Sequence, residues 1–348
     1  GSVLTKINVG AYLVAAIGLT LLWTVPGSLA RGLAWVLSGL AVAMPFVVMV
    51  RHVGEDWGYA YCSVITIAAL CSVAVVGGTS RPRHGSFSNL LPVVIAGAST
   101  FTAAVLIVVA MGSTPMAVLD ACVLRPARFS GAFSIPLPIQ QSAVVWALGA
   151  VPFVIMFLAR NRMPAAVRGA IDWALEALRL AFTVFLLHAL HFDREALLGQ
   201  VPPYVWLVLV PTPGRDWPQG QRELRVGLCL VAVFRSMVAY PVAGSQFYFS
   251  TFLVVVVTAV CCYDVVGVLA RLTPNFTRLL AHPVIRGIFV TAALAVIVTF
   301  YAPGLDLRGV AEDHRTRVSM NLPGAERIRV EGDQAGDYQW VVANLDAW

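Results

Sequence analysis

Apolar runs of membrane-spanning length recur along almost the whole chain, separated by short polar loops. A bilayer core takes about 20 apolar residues per helix, with a range of about 17–25. Ten segments reach or approach that length: 9–25, 33–50, 59–77, 90–111, 142–158, 171–189, 196–211, 226–243, 246–263 and 284–301. The seventh is broken by Pro202 and Pro203, as a broken or re-entrant helix would be. Charged residues make up 12% of the 348 positions and apolar ones 59%, with a mean hydropathy of +0.80. A soluble domain carries roughly 25% charged residues, enough to face water on all sides. So little charge leaves the bilayer as the solvent, and the expected fold is an all-α integral membrane protein with about ten transmembrane helices over 1–301.

The remainder, 302–348, differs in kind and is densely charged. Ala325-Glu326-Arg327-Ile328-Arg329-Val330 alternates apolar and polar, the pattern of a half-buried strand. The stretch 337–345 has helical spacing, with Tyr338, Val341, Val342 and Leu345 on one face. A strand followed by a helix reads as the start of a small α/β domain. The chain opens on Gly-Ser without a signal-peptide pattern and stops inside that amphipathic stretch, so a fragment of something longer is expected.

Orientation follows from the basic residues in the loops. Alternation puts Arg31, Arg81, Arg83, Arg160, Arg162, Arg168, Arg215, Arg222, Arg225, Arg271 and Arg278 on one side. The other side's loops hold fewer: Lys6, Arg51, Arg125, Arg128 and Arg194. The first set is therefore expected in the cytoplasm and the tail outside, provided that the seventh segment crosses. Lys6 is the single lysine among 24 basic residues, a skew that suits a GC-rich bacterial genome and hence a bacterial inner membrane. The net charge of +6 reports loop orientation, not nucleic-acid binding. Cys62, Cys71, Cys122, Cys229, Cys261 and Cys262 have no CxxC or His-rich company and read as small core residues.

Several residues have the chemistry to grip a substrate. Arg235 sits mid-segment, where a charge costs about 2.5–3.5 kcal/mol on insertion scales and faces a partner or a wet cavity. Its guanidinium suits a phosphate bidentately; the structural alternative is a pair with another intramembrane group, such as Glu176. Tyr240-Pro241-Val242-Ala243-Gly244-Ser245-Gln246 ends the same segment. Pro241 breaks the helix, Gly244 permits close backbone approach, and Ser245 and Gln246 offer hydrogen bonds. Lys6, against the charge trend, is a candidate phosphate contact. Arg125 and Arg128 lie in the loop 112–141, which reads as an amphipathic helix on the membrane surface and would meet lipid phosphates. Glu55 and Asp56 are adjacent acids, either a base or metal pair or a solvated loop beside Arg51. His188, His191 and Asp193 supply too few ligands for a metal, and no metal or cofactor is expected. No Walker A, GxSxG, HExxH or GxGxxG pattern is present.

Lys-Ile-Asn-Val-Gly at 6–10, Tyr-Pro-Val-Ala-Gly-Ser-Gln at 240–246, Pro-Gly-Ala-Glu-Arg-Ile-Arg-Val at 323–330 and Tyr-Gln-Trp-Val-Val-Ala-Asn-Leu at 338–345 together resemble bacterial polytopic glycosyltransferases of the GT-C class. The resemblance implies transfer of a sugar from a polyprenyl-phosphate donor to an acceptor on the outer face, with inversion. An acid in the first outer loop then serves as base and basic residues hold the departing lipid phosphate. On that pattern the base lies upstream of Gly1. Arg235, Lys6, Arg125 and Arg128 become donor-phosphate contacts, with Tyr240, Gly244 and Gln246 lining the cavity, and the fragment alone is expected to be inactive. A transporter or lipid flippase would also use intramembrane charge and broken helices, but its inverted repeats are not visible. A non-catalytic scaffold accounts for the hydrophobicity without explaining Arg235.

Overall fold

The structure is a computed structural model. It describes residues 7–79, 91–120, 136–137, 139–192, 196–212, 217–239, 245–273, 291, 315–319, 329–330 and 332–343. The chain divides into two compact units, Gly1–Gly287 and Ile288–Trp348.

The first unit is helical throughout its described residues. In order come α1 (Ile7–Thr24), α2 (Ser28–Val48), α3 (Asp56–Thr79), α4 (Leu91–Ala110), α5 (Pro115–Leu119), α6 (Ser142–Leu148), α7 (Ala150–Ala159) and α8 (Ala165–Phe192). Then follow α9 (Ala196–Gly199), a 3-10 helix (Pro202–Leu209), α10 (Gln219–Ser236) and α11 (Ser245–Leu272). Among the described residues four stretches are long and apolar enough to cross a membrane: Ser28–Val48, Asp56–Thr79, Ser142–Arg162 and Ser250–Leu272. The apolar helices fit a membrane-embedded protein.

Packing in α2 follows membrane rules. Its buried face is Ala30, Ala34, Ser38, Ala41 and Pro45, while Leu29, Val36, Leu40 and Val47 face outward. Small residues turned inward let α2 lie close on α1 and α3, and the large apolar side chains are left to lipid. In water such an outward face would be an aggregation surface. α3 is buried along most of its length against α2, α6, α7, α10 and the 3-10 helix.

Side-chain contacts sort the helix ends into two groups. At one end, Gln141 donates to Asp56 at the start of α3 (2.8 Å), and Tyr61 donates to the Ser236 carbonyl at the end of α10 (2.9 Å). At the other, Arg222 near the start of α10 donates to the last carbonyl of α3, that of Thr79. There too Trp23 of α1 meets Trp35 of α2, and both rings lie beside Gly77. Helices α1, α3, α6–α7 and α11 therefore run from the first end to the second, and α2, α8 and α10 run back. The proline-broken seventh segment obeys the alternation. Gln200 accepts from Trp146 near the first end, and the chain then runs through Pro202–Leu209 to α10, whose start is at the second. It crosses as a four-residue helix and an eight-residue 3-10 helix, longer than the three or four residues at which such runs usually stop.

The apolar segments expected at 171–189 and 246–263 are too short: α8 and α11 run several residues further. α10 begins at Gln219, not 226, so Arg222 and Arg225 are helical rather than loop residues. The segment 142–158 breaks at Gly149 into α6 and α7. Of the surface helix expected in 112–141, α5 is described, with the Thr114 side chain accepting from the Ala117 amide (3.1 Å). The segment 284–301 lies outside the described residues except for residue 291. In the second unit a two-residue strand β1 (Val318–Ser319) pairs antiparallel with β2 (Arg329–Val330), followed by α12 (Gly332–Ala343). β2 falls within the expected strand; α12 starts five residues before the expected helix, and Tyr338 on the expected apolar face is 47% exposed.

The packing of α2 makes a direct test. Ala34 is 0% exposed, so Ala34→Leu should destabilise the folded chain in detergent by about 1–3 kcal/mol. Val36, 61% exposed, should accept alanine within about 0.5 kcal/mol. Thermal unfolding that ranks the two the other way would show that α2 faces the bundle differently.

Candidate functional site

Two sets of polar side chains are built into the helical unit, one at the Asp56 end and one inside the bundle.

At the Asp56 end the chain turns from α2 to α3 through residues 49–55. A Cβ at position 58 would fall 2.0 Å from the His52 carbonyl oxygen, so only glycine lets this turn lie on α3. The turn then seats His52 against the Trp57 ring, 5.5 Å between centroids. Glu55 bridges the two, with one oxygen 2.7 Å from His52 Nδ1 and the other accepting from Trp57 Nε1 at 2.5 Å. The hydrogen bond with His52, followed by that from Trp57, holds the Glu55 carboxyl below the usual carboxylate range. Asp56 instead accepts from Gln141. The two acids are thus committed to different partners and are not a carboxylate pair.

Arg235 occupies the last turn of α10 at this same end, 6% exposed, its guanidinium 5.2 Å from the centre of the Phe252 ring of α11. The expected structural pair with Glu176 does not form, because Glu176 binds Arg179 three residues along its own helix. Gln246 lies in the first turn of α11, where the backbone alone is described. Lys6, Arg125, Arg128, Tyr240 and Gly244 lie outside the described residues. So does Asp193; among the described residues no group of three His, Cys, Asp or Glu is placed to hold a metal ion.

The second set escaped the sequence reading. Arg179 (0% exposed), Asp264 (1%), Glu176 and Arg225 are all buried between α8, α10 and α11. Arg225 forms a bidentate pair with Asp264 at 2.6 and 2.7 Å and lies over the Trp217 ring. Arg179 takes both Glu176 oxygens at 2.9 and 3.1 Å, with Asp264 3.8 Å away. Both guanidinium groups also reach into the seventh segment. Arg179 donates to the carbonyls of Leu207 (3.2 Å) and Val210 and to the Thr212 hydroxyl (3.3 Å); Arg225 donates to the carbonyl of Val208 (2.9 Å). Two cations and two anions balance, and their spare donors reach main-chain oxygens of the broken segment, among them that of Leu207, which also accepts from the Val210 amide. Chemically this is a clamp for the broken segment. Arg225 had been placed in a loop, whereas Arg179 and Asp264 sit in or beside apolar runs, where the cost of a lone charge was the available signal.

A second structural device supports the same segment. The break at Gly149 frees the Trp146 carbonyl, and the Tyr204 hydroxyl donates to it at 3.0 Å. Trp146, Phe182 and Tyr204 pack ring on ring around this point. Cys62, Cys71, Cys229 and Cys261 are buried free thiols and Cys262 is half-buried, as core residues should be; Cys122 lies outside the described residues.

No family model, curated protein or solved structure matches this chain.

Two measurements probe these arrangements. Removing one partner from the clamp leaves a buried charge, so Arg179→Ala should cost about 3–5 kcal/mol of stability in detergent unfolding. Arg168→Ala, exposed on the same helix, should stay within about 0.5 kcal/mol. Equal effects would show that the clamp does not hold the fold. At the Asp56 end, the lowered Glu55 value means its contribution is complete above the ordinary carboxylate range and is lost as pH falls through the folded-state value. Acid titration of Trp fluorescence, taken as the difference from Trp57→Phe, should show this step, and Glu55→Gln should abolish it.

Proposed function

We propose that this chain is the membrane-embedded part of a glycosyltransferase that takes a sugar from a polyprenyl-phosphate donor and passes it to an acceptor at the outer face of a bacterial inner membrane. The observation that carries the reading is Arg235. It is a buried cation in the last turn of α10, followed directly by the 3-10 turn Met237–Ala239 and, in sequence, by Tyr240-Pro241-Val242-Ala243-Gly244. Glu176 is committed to Arg179. A guanidinium at that place suits the lipid phosphate, whose negative charge grows as the sugar departs. In this reading Arg235 holds the phosphate, and Tyr240, Gly244 and Gln246 form the cavity wall beside it. Lys6, Arg125 and Arg128 are further phosphate contacts from the same outer side. The base that activates the acceptor is assigned to no residue here.

The alternation of helix directions supports the topology that this reading needs. With the seventh segment crossing, the Arg235 end of α10 falls on the side opposite Arg160, Arg162, Arg168 and Arg222. The positive-inside rule then makes the Arg235 end extracytoplasmic. A transporter or lipid flippase is the rival, and the buried charges of α8, α10 and α11 are the feature that favours it. Their engagement with one another and with main-chain carbonyls weighs toward a fixed clamp rather than a moving relay.

In the full-length protein Arg235→Ala should insert normally and raise the KM for a polyprenyl-phosphate sugar roughly ten- to a hundred-fold, the worth of a charged hydrogen bond. Arg235→Lys should recover part of the loss, because it keeps the charge and loses the fork. Wild-type sugar transfer by the alanine variant would sink the phosphate role. Transbilayer movement of a fluorescent lipid-linked sugar without transfer would favour the flippase.

A further inference from the structure

A groove of about 460 Å³ runs between α10 and α11, away from Arg235 and toward the opposite end of the bundle. Leu224, Leu228, Val256, Ala259 and Val260 form its walls. Leu224 is 76% exposed, and Val256 and Tyr263 are also open, so the groove faces the bilayer. Its size is that of a small-molecule or single-chain site.

The groove's lining is apolar apart from Gln221, Arg225 and Tyr263, and further polar groups stand beyond it at the same end of the two helices. On α11, Val256, Val260, Tyr263, Gly267 and Arg271 succeed one another at steps of four, three, four and four residues, which places all five on one stripe. Arg271 is exposed at the end of that stripe, and its Nε donates to the Gly267 carbonyl at 3.1 Å, turning the side chain back toward the groove. On α10, Gln221 lines the mouth from the first turn. That helix starts at Gln219 behind Pro218 without a side-chain cap, so its positive dipole end faces the same place. Glu223, the neighbouring acid, is turned about 200° from Gln221 around the helix axis. Inside, Arg225 also lines the groove, its charge already balanced by Asp264.

We propose that this groove is a binding site for an anionic phospholipid of the surrounding leaflet. One acyl chain lies between α10 and α11, and the phosphate headgroup sits at Arg271, Gln221 and the start of α10. Charge complementarity selects the occupant: an apolar channel that ends in an arginine and a helix N-terminus fits an acyl chain that ends in a phosphate. The site is independent of the glycosyltransferase reading, since it is built from the other end of α10.

The test uses the full chain in nanodiscs of phosphatidylcholine alone or of equal parts phosphatidylcholine and phosphatidylglycerol, with native mass spectrometry of the lipids that stay bound on release. Phosphatidylglycerol should be retained in preference to phosphatidylcholine. Arg271→Gln should lower phosphatidylglycerol affinity about five-fold, the worth of one interfacial cation, and leave phosphatidylcholine unchanged. Ala259→Phe, which fills the groove, should lose retained lipid of both kinds. If that variant does not fold, the exposed Arg271→Gln decides alone. Equal retention of the two lipids, or unchanged phosphatidylglycerol in Arg271→Gln, overturns the proposal. So does displacement of the lipid by inorganic phosphate, which would mark a free-anion site, or an Ala259→Cys crosslink between two copies, which would give the groove to a second chain.

Discussion

Hydrocarbon offers nothing to a main-chain carbonyl, and the described helical unit is organised around a broken stretch that supplies its own donors only in part. Residues 196–212 carry three prolines and a 3-10 helix, yet they pass through the middle of the bundle and are buried almost throughout. Each unsatisfied group there would cost several kcal/mol. Arg179 and Arg225 provide the donors from α8 and α10, and Glu176 and Asp264 neutralise the cations. The same interaction therefore ties four elements together: α8, α10, α11 and the broken segment. Ring packing by Tyr204 on Trp146 and Trp206 on Phe157 fills the rest of the contact.

Around this centre the helices obey the logic of a bilayer rather than of water. Alanine, glycine and serine close the contacts, as in Ala30, Ala34, Ser38 and Ala41 of α2 or Gly77 of α3 beneath two tryptophans. On α2, Leu29, Val36, Leu40 and Val47 point outward. Carbonyls freed at helix breaks and ends are answered by side chains from other helices: Tyr204 at Trp146, Tyr61 at Ser236, Arg222 at Thr79. Those contacts also fix which helix ends meet, and so give the chain its alternating course.

The membrane class was legible because apolar run length and scarcity of charge are direct physical requirements of a bilayer. So was the break at Pro202 and Pro203, since proline removes donors whatever surrounds it. Helix ends were less legible. Hydropathy stops at a charge, and it cannot tell a loop arginine from Arg225, which is buried against an aspartate 39 residues away in sequence. The clamp was invisible for the same reason: Arg179 and Asp264 each look like a penalty when alone and become an asset only when the tertiary structure pairs them. At the Asp56 end, adjacency suggested that Glu55 and Asp56 act together. Neighbouring side chains at a helix start point in different directions, and one turned to His52 and Trp57 while the other turned to Gln141. Of the residues named for phosphate binding, Arg235 alone is described to its side chain; its burial was implied by its place in an apolar run, whereas its position in the last turn of α10, not mid-segment, was not.

The clamp also sets an order of assembly. The segment 196–212 is made after α8 but before α10 and α11, so Arg179 is present when it emerges while Arg225 and Asp264 are not. A stretch with proline breaks and open carbonyls does not partition into lipid alone, as a self-satisfied helix does. Its final seat exists only once Asp264 has arrived on α11 to balance the cations. Biogenesis of this bundle therefore cannot be a simple succession of helices leaving the translocon one by one. The broken segment takes its final seat late, in concert with α10 and α11, and until then the chain holds an unfinished interior.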